Sequence, residues 1–107
     1  MKLPKVIKIL YRDYKVVPYT AQEASTDGNL GVFKPDQALM KVDQQWGSKK
    51  QANILLHELL HAIFYEMAID TKSAQSEESV ILPLANGFSA VMRDNPGLLL
   101  EIQKALR

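Results

Sequence analysis

The sequence predicts an α+β domain, and three observations carry that expectation. Residues 1–45 hold short stretches rich in β-branched and aromatic side chains, separated by turn residues. From Ser48 onward the apolar residues recur at helical spacing instead, and strands followed by helices is the α+β pattern. The length, 107 residues of which 47% are apolar, suits a single domain with one modest core.

Val6 to Leu10 and Tyr14 to Val17 read as two strands, with the polar Arg12 and Asp13 between them. Thr26, Asp27, Gly28 and Asn29 form a strong turn signal, because Gly and Asn accept positive φ. Leu30 to Phe33 is a further strand candidate, ended by Lys34, Pro35 and Asp36. Ala38 to Val42 is the last, with Ala38, Met40 and Val42 on one side.

Ser48 is a candidate N-cap for a helix running to about Ile69. At about 100° per residue with His57 at zero, Leu55, Leu56, Leu59, Leu60, Ile63, Phe64 and Met67 span about 160° to 340°. His57, His61, Tyr65 and Glu58 fall between about 0° and 100°. The helix is therefore expected to bury one arc and present the other. A second helix is expected over 76–93, with Ile81, Ala85, Phe88 and Met92 on its buried face and a kink at Pro83. Asn95 and Pro96 read as the N-cap and first position of a third helix, 96–106.

Composition excludes several classes. A net charge of +1 with scattered lysines predicts no strong attraction to nucleic acid or to a membrane surface. The absence of cysteine removes disulfides and thiolate metal ligands. Lys2, Lys5 and Lys8 interrupt the apolar N-terminus, which makes a poor signal peptide. No apolar run is long enough to span a bilayer, and a cytoplasmic location is expected.

The chemistry concentrates in His57-Glu58-Leu59-Leu60-His61, an H-E-x-x-H motif that uses both histidines of the chain. Residues four apart share a helix face, so His57 and His61 can aim two imidazole nitrogens at one ion. Zinc takes nitrogen and oxygen ligands, and a catalytic site uses three protein ligands plus water. Glu58 is the candidate acid/base, taking a proton from a zinc-bound water and delivering it to the leaving amine. Against this stands a plain structural helix whose two histidines are satisfied by hydrogen bonds.

The third ligand must be a carboxylate, since no other His or Cys exists. Glu66 and Asp70 sit at about 180° and 220° on the motif helix, away from the histidines. That leaves Glu77 and Glu78 at the start of the next helix. Glu78 is favoured, because Ile81 and Ala85 place it beside the packing stripe, and Glu77 stays open. Tyr65, at about 80°, is the candidate oxyanion stabiliser, with Tyr19 as another. The Ala38 to Val42 strand could pair with an extended peptide if it forms the sheet edge by the cleft.

His57 to Ile63, then Glu77 and Glu78, then Leu84-Ala85-Asn86-Gly87-Phe88, resemble the gluzincins. The stretch is similar in particular to the small phage and prophage proteins related to the ImmA/IrrE metallopeptidases, as is Arg93-Asp94-Asn95-Pro96. The match covers about residues 50 to 96. The resemblance implies a minimal zincin-like fold, with a small twisted sheet packed on the motif helix and two further helices behind it. It implies Zn2+ held by His57, His61 and Glu77 or Glu78, with Glu58 as acid/base. It implies a peptide or protein substrate, and a bacterial host cytoplasm if the protein is phage-encoded. Pro83 inside the ligand helix and the lack of extra N-terminal helices depart from the family pattern. So short a chain leaves little to build substrate subsites, and the alternative is a zinc-binding, non-catalytic interaction protein on the same fold.

Overall fold

The computed structural model describes residues 1–107, Asp27 by its backbone alone. It is an α+β domain. Strand β1 (Val6–Ile9) turns through Leu10 and Tyr11 into β2 (Arg12–Tyr19), antiparallel to it. Helix α1 (Ala21–Asp27) and strand β3 (Gly31–Lys34) follow, then a 3-10 turn (Pro35–Gln37) and strand β4 (Leu39–Asp43). Three helices complete the chain: α2 (Ser48–Glu66), α3 (Ala74–Asp94) and α4 (Leu98–Leu106). The sheet order is β1-β2-β4-β3, with β2 and β4 parallel and the other pairs antiparallel.

Several expectations shift in detail. Helix α1 was not foreseen, although its caps are local. Thr20 accepts from Glu23 N at 3.0 Å, the Glu23 carboxylate accepts from Thr20 N, and Gly28 closes the helix at φ 71°. The turn signal at 26–29 is thus a helix C-cap. Ala38 is not in a strand but left-handed at φ 49°, and β4 begins at Leu39. Nor is β4 a sheet edge: it lies between β2 and β3, and β3 and β1 are the outer strands. Residues 67–69 lie beyond α2, which ends at Glu66. Helix α3 begins at Ala74 on a Ser73 cap, two residues before the expected start, and includes Pro83. Asn95 does not cap α4. Its Nδ2 donates back to Val91 O at 2.9 Å, and left-handed Gly97 precedes α4 instead.

Helix α2 is buried on two flanks rather than along one arc. Ile54 and Leu55 pack with Val16 and Val42 of the sheet, and Ala62 packs with Tyr14 and Met40. Leu60 packs on the other flank, against Ile81 and Ala85 of α3. Met67 is exposed. The contact stripe on α3 runs Ile81, Ala85 and Ser89, the last bonded to Asn53 of α2. Phe88 and Met92 fall beside that stripe and are exposed, not buried. No helix among the described residues is long and apolar enough to cross a membrane.

Because Ile81 is fully buried and holds α3 to α2, Ile81→Ala should lower stability by about 2–4 kcal/mol in urea denaturation. Met92→Ala should change it by less than about 1 kcal/mol. Equal effects would place the α2–α3 packing elsewhere.

Candidate metal centre

Between its two buried flanks, α2 leaves one strip uncovered, and His57 and His61 stand on it. The sheet edge β3 walls this strip on one side and α3 on the other. The result is a cleft of about 640 Å³, lined by residues 28–33, Asn53, Ile54, His57, Glu58, His61, Glu78 and Leu82.

The Glu78 carboxylate spans both imidazoles. Its Oε1 lies 2.7 Å from His57 Nε2 and its Oε2 lies 2.9 Å from His61 Nε2. One donor atom from each of His57, His61 and Glu78 can be chosen so that all lie within 4.8 Å of one another. Two imidazole nitrogens and a carboxylate oxygen are a donor set that suits zinc. Glu77 does not join the group. Its Oε2 lies 2.8 Å from His61 Nδ1, on the other side of the ring. A proton on Nδ1 donated to Glu77 leaves the Nε2 lone pair directed at the cleft, which is how a carboxylate fixes a ligand tautomer. Burial lowers the His57 pKa, against the raising effect of Glu78, and so favours the neutral form a metal needs.

Glu58 sits at the border between the sheet flank of α2 and the open strip. It is only 7% exposed, and its carboxylate lies against Gly31 of β3. A Cβ at Gly31 would stand 2.9 Å from the Lys41 carbonyl and 3.0 Å from Glu58 Oε2. Only glycine lets the edge strand come this close. Burial pushes the Glu58 carboxyl up to about 7, with His61 pulling it down and Glu78 adding to the rise. A carboxyl poised there can hold or release a proton at neutral pH.

Other candidates lie outside the cleft. One helical turn beyond His61, Tyr65 stacks edge-on against Phe33 at 5.9 Å and lies beside Arg12. Tyr19 is buried at the end of β2, under Lys41 Nζ. Glu66 accepts from Tyr14 Oη at 2.8 Å and pairs with Arg12, so it faces the sheet. Asp70 accepts from Lys72 N beyond the end of α2. Gly31 and Asn53 escaped sequence reading. Asn53 Nδ2 donates to Asn86 Oδ1 and Ser89 Oγ, pinning α3 beside the cleft. Its position four residues before His57 was the available signal, and a glycine inside a strand was the signal for Gly31.

No protein-family model matches this chain, no curated protein matches it in sequence, and no solved structure matches it.

Two outcomes follow from this geometry. If the group holds zinc, Glu77→Gln would weaken its binding roughly 10- to 100-fold in a chelator competition, and Glu78→Gln would weaken it more. The reverse order would exchange their roles. In metal-free protein the folded Glu58 titrates near 7 against an ordinary 4.5. Between those values the folded state holds a proton that the unfolded state has released, so stability falls as pH rises through the window. The loss is of the order of 3 kcal/mol. With chelator present, Glu58→Gln should match wild type in urea at about pH 5 and exceed it by roughly 2–3 kcal/mol at about pH 8. A difference independent of pH would contradict the buried carboxyl.

Proposed function

We propose that this chain is a zinc-dependent metallopeptidase of gluzincin type that hydrolyses peptide bonds in an extended segment of a peptide or protein. The observation that carries the reading is the convergence of His57, His61 and Glu78 on one point of a cleft that Glu58 also lines. Zinc held by those three residues would supply Lewis acidity towards a carbonyl and bring the pKa of water towards neutrality. Glu58 accepts a proton from water in the cleft and returns it to the leaving amine, a task its raised pKa suits. Glu77 holds the His61 ring in register.

The substrate class rests on the sheet edge. Asp43 N donates to Leu30 O at 2.9 Å, so Leu30 faces β4. Alternation along an antiparallel strand then turns the backbone N–H and C=O of Gly31 and Phe33 outward, towards the cleft side. An extended peptide can add to those groups as a further strand. Leu30, Val32 and Leu82 offer apolar walls to its side chains.

Purified protein should carry about one zinc per chain and cleave members of a mixed peptide library, with cleavage stopped by chelation. Glu58→Gln should keep the zinc and lose roughly 10²- to 10⁴-fold in cleavage rate. Zinc retained with no cleavage by either protein would replace the peptidase by a zinc-binding interaction protein. Absence of zinc would refute both.

A further inference from the structure

We infer that the exposed apolar surface of α3 and α4 is the interface of a homodimer, each chain using the same surface. The inference goes beyond the metal centre and stands independently of it.

Helix α4 has no buried residue, and among the described residues it shares no extended contact with another element. At 100° per residue, Leu98, Leu99, Ile102, Ala105 and Leu106 fall on one arc of about 120°. Leu99 is 62% and Leu106 83% exposed. On α3, Val80, Leu84, Phe88 and Val91 form a second apolar stripe beside the contact with α2, with Phe88 46% exposed. An amphipathic helix with its apolar face in water lacks the burial that normally stabilises it.

The exposed area is large enough for a second copy. The chain exposes 7394 Å², whereas a compact monomer of 12.0 kDa exposes about 6,000 Å². Its radius of gyration is 14.1 Å, against about 13 Å for a compact domain of this length. The excess of roughly 1,400 Å² exceeds the ~800 Å² per partner that a stable interface of ordinary size buries. The surface is also suited to its own copy. A two-fold interface sets like residues against like, and no charge falls within the α4 arc or within the α3 stripe from Val80 to Val91, Glu77 lying one turn before it. Glu101 and Lys104 lie on the opposite arc of α4 and pair with each other at 3.5 Å. That polar arc is not the Lys- and Arg-rich face by which a helix lies on an anionic membrane.

Sedimentation equilibrium of the 107-residue chain should give twice the mass of 12.0 kDa. Leu99→Glu combined with Ile102→Glu on α4, and separately Phe88→Glu on α3, should each weaken dimerisation by roughly a hundredfold or more. Both variants should keep the zinc stoichiometry of the wild type, since none of these residues lines the cleft. A single-chain mass at about 100 µM would overturn the proposal, as would a dimer indifferent to both variants. A monomer that binds anionic vesicles would overturn it too and give the surface to a lipid bilayer. If the α4 variant fails to fold, the wild-type mass and the Phe88→Glu variant still decide.

Discussion

The seating of α2 between two partners is the constraint on which the rest of the structure depends. The sheet takes one flank through Ile54, Leu55 and Ala62, and α3 takes another through Leu60. A helix covered on two flanks that do not meet keeps one open strip, and that strip holds His57 and His61. The cleft is therefore a consequence of how the core is divided. Its walls, β3 and α3, are the same elements that bury the helix, so the stability of the core and the geometry of the candidate metal group are one problem.

Glu58 shows how closely these are coupled. It occupies the border between the sheet flank and the open strip, which buries its carboxyl and raises its pKa. A charged side chain at such a border opposes folding of the metal-free protein. Gly31 admits it by carrying no side chain where one would strike the Lys41 carbonyl and Glu58 itself. A neighbouring pair of glutamates is divided between tasks by the same packing. Glu78 reaches both Nε2 atoms while Glu77 reaches only the far nitrogen of His61. Much of the apolar surface that the core leaves uncovered lies on α3 and α4, including Phe88, Leu99 and Leu106, none of which lines this cleft.

The sequence by itself determined much of this, wherever the signal was local. The α+β order, the positions of most strands, the long helix carrying H-E-x-x-H and the restriction of the candidate third ligand to Glu77 or Glu78 follow from periodicity, turn chemistry and the count of histidines. Helix α1 is equally local, written in the Thr20–Glu23 capping box and the Gly28 cap, but its C-cap carries the same residues as a tight turn.

Only the tertiary structure decided what depended on distant residues. It made β3 and not β4 a sheet edge, because strand order is set by long-range pairing and not by any strand's own pattern. Two buried flanks replaced one arc on α2, since a helical wheel records which residues are apolar but not how many neighbours share them. The choice between Glu77 and Glu78 lay in a 100° rotation about α3, which matters only once α3 is docked on α2. The same docking left Phe88 and Met92 in solvent, and Tyr65 packs against Phe33 at the sheet rather than beside the histidines.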